Sequence, residues 1–266
     1  MITDINVNVH RWPFRRLPLD ETPKLVNKLR QNGIVTAWAG SFDGVLHQDV
    51  ASVNLRTTEE CRQHGDGVLL PVGTINPTLP DWPDDVRRCR QDHGMQIVRI
   101  YPNYHGYKLT DPVFEQLLNV IDEQQLILQL VLKMEDIRTH HPLMMVPTVD
   151  HAPLAKLLAD HPKLPVILMN IDRLTGPDTS ALAKAGNVYF DISHAEQVGA
   201  LEKVLHDIPY ERLLFGSHAP FFNLESALLK FQESEPGDTI TRAIQFENAA
   251  ALLKSRIAGS SAVRHP

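Results

Sequence analysis

The sequence has only two cysteines in 266 residues, Cys61 and Cys89, far apart and without metal-ligand spacing. That excludes a disulfide framework and a zinc knuckle, and both thiols read as buried core groups on helices. No window approaches the ~18 consecutive apolar residues of a membrane span, and the N-terminus lacks a basic segment followed by an apolar stretch, so a cytoplasmic location is expected. Blocks of like charge are absent too. The formal charge of −6 is spread along the chain, which argues against nucleic acid or an anionic membrane as partner and leaves a small molecule as the expected one. No Gly-x-Gly-x-x-Gly follows the first apolar run, so a dinucleotide site has no support. Thirteen histidines are present, yet none stand as His-x-His or His-Glu-x-x-His, and no preformed three-histidine zinc site is readable.

What the chain does have is alternation. Short apolar runs at Ile2–Val9, Ile34–Ala39, Val68–Ile75, Gln96–Tyr101, Leu126–Leu132, Pro165–Ile171, Val188–Ile192 and Leu213–Gly216 predict eight strands. Helical periods lie between them, near Thr22–Gln31, Gln48–His64, Trp82–His93, Pro112–Glu123, Ala152–Asp160, Thr179–Ala185 and Glu196–Asp207. Asp81 and Asp111, each just ahead of a first-turn proline, read as helix caps. Glu225–Glu233 and Ile240–Ile257 follow the last strand as closing helices. Eight βα units also suit a doubly wound open sheet, but the count and the length, near the ~250 residues typical of the barrel, favour an α/β fold of a single (β/α)8 TIM barrel. Residues 1–258 form that domain, and 259–266 are expected to be a flexible C-terminal tail.

In such a barrel the active site lies at the C-terminal ends of the strands. On the first strand Asp4, Asn6 and Asn8 alternate with Ile5, Val7 and Val9, which predicts a polar face in the lumen and an aliphatic face outside. Later strands end in Thr74 and Asn76, Arg99 and Tyr101, Gln129 and Lys133, Asn170 and Asp172, Asp191 and Ser193, and Gly216-Ser217-His218-Ala219-Pro220. A buried Arg99 needs an anionic partner, either Asp191 or Asp4 or a substrate. His140, His141 and His151 fall in a long segment after the fifth strand that would lie over the mouth. The aromatic residues Trp12, Phe14, Phe221 and Phe222 read as core packing, with a cover over the mouth or an interface as the other readings.

Several stretches taken together resemble the amidohydrolase-related (amidohydrolase 2) family of TIM-barrel metal-dependent hydrolases and decarboxylases. They are Asp4-Ile-Asn-Val-Asn8, Arg99-Ile-Tyr-Pro-Asn103, Leu164-Pro-Val-Ile-Leu-Met-Asn170, Val188-Tyr-Phe-Asp-Ile-Ser193, Leu214-Phe-Gly-Ser-His-Ala-Pro220 and Asn248-Ala-Ala-Ala-Leu-Leu253. The resemblance implies a divalent ion held by two first-strand histidines, a later histidine and an eighth-strand aspartate. The matching positions here are Asn6, Asn8, Asn170 and His218, a divergent set in which neutral amides replace good zinc ligands. The expectation is therefore no cofactor, with at most a weak site for a harder ion at Asp4 or Asp191.

Without an ion the substrate must already be electrophilic, and the family fold that the chain resembles includes lactonases that work without a metal. The expected function is hydrolysis of a lactone or other activated ester bearing a carboxylate. His218 would be the general base, Asn6, Asn8 and Asn170 would donate to an oxyanion, and Asp4 and Asp191 would complete the catalytic set. Arg99, Tyr101, His105 and Lys133 would bind the substrate, Arg99 taking its carboxylate together with Lys133 or His105. Two alternatives stand beside it: a non-catalytic barrel that binds a small molecule or partner protein, and a hydrolase or decarboxylase with a relocated metal at His10, His140 or His141.

Overall fold

A computed structural model describes residues 1–261, with side chains as far as Arg256. Among the described residues eight parallel strands follow one another in chain order: β1 (Ile2–Val9), β2 (Ile34–Ser41), β3 (interrupted, Leu69–Pro71 and Gly73–Thr74), β4 (Ile97–Ile100), β5 (Ile127–Val131), β6 (Val166–Met169), β7 (Val188–Asp191) and β8 (Leu213–Leu214). The third strand pairs with β2 up to Pro71 and with β4 from Gly73 onward. Closure comes from Ile5 N–H to Phe215 O and Asn8 N–H to Ala219 O, both 2.9 Å, with a parallel bridge between Val7 and Ala219. The fold is a (β/α)8 barrel.

Hydrophobic period explains the layers. Val98, Ile100, Leu128, Leu130, Val166 and Leu168 face outward and pack with helix residues such as Leu25, Leu29, Phe114 and Leu117 in the outer core. Ile97, Ile127, Ile167, Met169, Trp38 and Leu214 form a second cluster that fills the lumen. The predicted helices Thr22–Gln31 and Pro112–Glu123 have the expected bounds. Asp81 and Asp111 do not cap with their side chains; Asp111 turns back to accept from the Lys108 N–H at 2.8 Å. The closing helix Asn248–Ser261 runs into the expected tail, whose remaining residues lie outside the described ones.

The strict alternation expected for β1 is corrected. Its register with β2 shifts between Asp4 and Val7, so Ile5 joins the lumen cluster while Val7 and Val9 pack outward. An irregularity of this kind re-aims side chains near active sites.

Candidate active site

The ends of β1, β6 and β8 carry backbone strain where the barrel opens. His10, Asn170 and His218 adopt φ of 66°, 59° and 58°, a left-handed conformation uncommon for residues with a Cβ. Such strain persists only when the surroundings enforce it and clusters at functional sites. At two of the three, Asn170 and His218, it aims a side chain into one network.

That network joins Asn6, Asn170, Asp191, Ser193 and His218. The Asn6 amide donates to Asn170 Oδ1 at 2.7 Å and to Asp191 Oδ2 at 2.6 Å, with Ser193 Oγ 3.4 Å away. Asn170 Nδ2 donates to Lys133 O at 2.7 Å. Ser193 donates twice to Asp191, from its N–H at 2.8 Å and from its hydroxyl at 2.6 Å. Gly216 makes the close approach feasible, since a Cβ there would stand 2.0 Å from Asp191 Oδ1. Asp4 accepts from the Asn6 and Ser217 N–H groups at 3.0 Å, and its second oxygen is buried without a partner. Burial pushes the Asp4 carboxyl up to about 7, against the pull of hydrogen bonds from Ser217 and Asn6, and Asp191 is raised by burial as well.

Asn8, on the same strand as Asn6, forms a second group with Arg99 of β4. Arg99, 1% exposed, donates to Gln129 Oε1 and Asn8 Oδ1 at 2.7 Å and lies 3.3 Å from Val7 O. Among the described residues it has no carboxylate partner, so the expected pairing with Asp191 or Asp4 is corrected. The Asn8 Nδ2 and Tyr101 hydroxyl groups are also buried without partners. Three kinds of donor are gathered here, and the guanidinium charge is met only by neutral acceptors.

Three expected roles change. Lys133 forms an ion pair with Asp172 at the rim instead of offering a free ammonium. His105 binds Gly44 O through Nε2 at 3.0 Å, and burial lowers its pKa to about 4, so it carries no charge toward a carboxylate at neutral pH. His218 bonds Met134 O through Nε2 at 2.8 Å, and burial lowers it to about 3, which makes it a weak base toward water. Of the loop histidines, His140 and His141 accept backbone N–H bonds from Val146 and Leu143 outside the network.

The sequence reading missed several participants. The His194 ring centre is 5.3 Å from that of His218, the planes tilted by 53°, and its Nδ1 lies 3.1 Å from Ser193 Oγ. Lys230 reaches in from the helix Leu224–Ser234 and donates to Ile192 O and Ser193 O at 3.0 and 2.5 Å, holding the turn that carries Ser193 and His194. Only its place within a helical period was visible beforehand. Trp12 meets Phe14, Phe42, Tyr104 and Phe221 edge to face at 5.0–6.2 Å in the lumen cluster, so the core packing expected of Trp12, Phe14 and Phe221 is seen, as a layer over this end of the barrel. Under this layer Asp4, Asn6, Asn8, Arg99, Asn170, Asp191 and His218 are each at most 1% exposed.

The Amidohydrolase family model matches residues 10–254. The chain belongs to the amidohydrolase family. It is an enzyme of the amidohydrolase superfamily, as the resemblance implied. The fold is shared with 2,6-dihydroxybenzoate decarboxylase from Rhizobium at TM-score 0.73 and 16% identity, over 95% of this chain and 98% of that one. It is also shared with 5-carboxyvanillate decarboxylase from Sphingomonas paucimobilis, at TM-score 0.75 and 12% identity, over 95% and 98%. A dihydroxybenzoic acid decarboxylase from Polaromonas sp. JS666, with bound manganese and the inhibitor 2-nitroresorcinol, matches at TM-score 0.74 and 13% identity, over 95% and 96%. No curated protein matches by sequence.

The expectation of no cofactor, drawn from the asparagines, is corrected: two decarboxylases of like fold, the Polaromonas enzyme and a 5-carboxyvanillate decarboxylase from Novosphingobium aromaticivorans, hold manganese. Among the described residues no three His, Cys, Asp or Glu side chains gather as a metal site. An ion here therefore depends on amide oxygens. Amide and carboxylate oxygens suit a hard ion such as manganese, although they are poor for zinc. Asp191 Oδ2 and Asn170 Oδ1 present that chemistry, but both accept from the Asn6 amide nitrogen, so an ion has to displace that N–H donor to reach them. No helix among the described residues is long and apolar enough to cross a membrane.

Proposed function

We propose that this amidohydrolase removes the carboxyl group of a small aromatic acid by non-oxidative decarboxylation. The observation that carries the reading is Arg99, a buried guanidinium whose acceptors are all neutral. A buried cation of this kind is costly until an anion meets it. A carboxylate suits it best, because guanidinium and carboxylate are planar and pair through two parallel bonds. Asn8 Nδ2 and the Tyr101 hydroxyl supply donors for the same anion.

Dryness argues for decarboxylation over hydrolysis. Hydrolysis needs a water and a base to activate it, whereas the network is sealed and His218 is a weak base. Losing CO2 needs no water: the carbon–carbon bond breaks, its electron pair stays on the ring carbon, and a proton from a buried acid, for which Asp4 is the carboxyl at hand, takes the vacated place. Water exclusion favours that step, since a desolvated carboxylate gives way to a product of lower charge density. The neighbours of like fold act on dihydroxybenzoate and carboxyvanillate, which are substrates of this class. A hard divalent ion held by Asp191 and the Asn170 amide oxygen, in place of the Asn6 N–H donor, would supply electrostatic stabilisation of negative charge. The expected lactone substrate has no supporting observation.

The test is CO2 release from 2,6-dihydroxybenzoate and 5-carboxyvanillate by manganese-supplemented protein. Turnover is expected, and Arg99→Gln should lower kcat/KM by roughly 10–200-fold, the worth of a hydrogen bond to a charged group. Turnover of lactones without CO2 release from aromatic acids would overturn the proposal.

A further inference from the structure

The segment between β1 and the first helix crosses the barrel mouth and meets one internal carboxylate there. Glu135, just after β5, has a side chain only 3% exposed. Its Oε2 accepts from Trp12 Nε1 at 3.0 Å, and its Oε1 pairs with the Arg15 guanidinium. Arg15 in turn lies over the Phe221 ring, 5.5 Å from its centre. The carboxylate is thus met by an indole N–H and a guanidinium, beside aromatic rings from four separate segments that carry Trp12, Phe42, Tyr104 and Phe221.

We infer that this box is the outer carboxylate subsite of the enzyme, specific for a planar aromatic acid, and that Glu135 occupies it when no ligand is bound. Its walls are aromatic edges and faces, which favour a ring over an aliphatic chain. The donors already bind a carboxylate, so the carboxylate of an aromatic acid satisfies them once Glu135 withdraws. Glu135 has somewhere to go. It borders a rim cavity of about 180 Å³ that Lys133, Asp136, His140, Thr148 and Asp172 also line, where its carboxylate would meet the Lys133–Asp172 ion pair. The box lies above the network of Asn6 and His218, so an incoming acid meets Arg15 before Arg99. Arg15 is 42% exposed and within reach of solvent, which suits a first encounter.

The inference rests on the carboxylate reading above, and binding separates it from turnover. Benzoate is titrated into the full chain with tryptophan fluorescence as readout, and Trp82→Phe removes the signal of an indole outside the box. Glu135→Gln weakens the internal competitor, so benzoate should bind about tenfold tighter, because apparent affinity rises with the open fraction. Arg15→Gln should bind about tenfold more weakly, and benzamide, the neutral isostere, should bind none of the proteins. Unchanged affinity in both variants, or no benzoate binding by any protein, overturns the inference. Arg15 is partly exposed, so Arg15→Gln keeps the test decisive if Glu135→Gln fails to fold. Absent CO2 release with the Glu135→Gln shift intact would sink decarboxylation and leave the subsite standing.

Discussion

Asp4 has its side chain fully enclosed near the start of β1, and burial lifts its carboxyl from 3.8 to about 7. A carboxyl raised in the folded state keeps a proton that the unfolded chain has lost, so stability falls as pH rises from about 4 to about 7 and is flat above. His218 and His194 act in the opposite sense: lowered to about 3 and about 2, they add stability as pH rises toward 6.5. Asp4→Asn removes only the first effect. In chelator-treated protein the Tm of Asp4→Asn minus that of wild type should therefore increase from pH 4 to pH 7 and then level off, the underlying change in relative stability being at most about 4 kcal/mol. A difference that stays constant across pH would show that Asp4 does not titrate there. At this scale the sequence was informative about position and silent about partners. Asn6, Asn170 and Asp191 were marked by their places at strand ends, yet the bond from the Asn6 amide to Asp191 spans 185 residues, and no local pattern encodes it.

Among the elements, the connection after β5 differs most from a compact βα turn. Its ends are anchored by Asn103 Nδ2 to Pro147 O at 2.6 Å and by Val149 N–H to Leu132 O at 2.9 Å. Between them Ile137, Leu143 and Met145 are 57%, 91% and 53% exposed. Exposed loop tips are where proteases cut. Limited proteolysis should nick residues 137–146 first and leave the barrel associated; first cleavage in the β1 to helix segment would contradict this placement. The aromatic acids benzoate and 2,6-dihydroxybenzoate should hasten the nick if they displace Glu135. Loop composition was legible in the sequence here. The Glu135 contact with Trp12 and Arg15 was not, because a single glutamate in a polar loop carries no periodic signal.

For the whole molecule, metal linkage is the property to measure. An ion that binds the folded barrel and not the unfolded chain adds about 2.7 kcal/mol at one hundred times its Kd. Manganese should raise the Tm of chelator-treated protein by several degrees, and Asp191→Asn should abolish most of the rise. No shift at millimolar manganese would remove the ion from the proposed site. The sequence by itself determined the architecture, since eight apolar runs alternating with helical periods leave few ways to bury both faces of the strands. It also determined which side chains stand at strand ends, because a period of two fixes that locally wherever the register holds. The tertiary structure alone decided their electrical state and company. The shift in β1 register, the Gly216 approach and the aromatic cover bury Asp4 and His218, and they leave Arg99 among neutral acceptors. Burial and long-range pairing depend on segments hundreds of residues apart meeting in space, and that information lies in no single window of the chain.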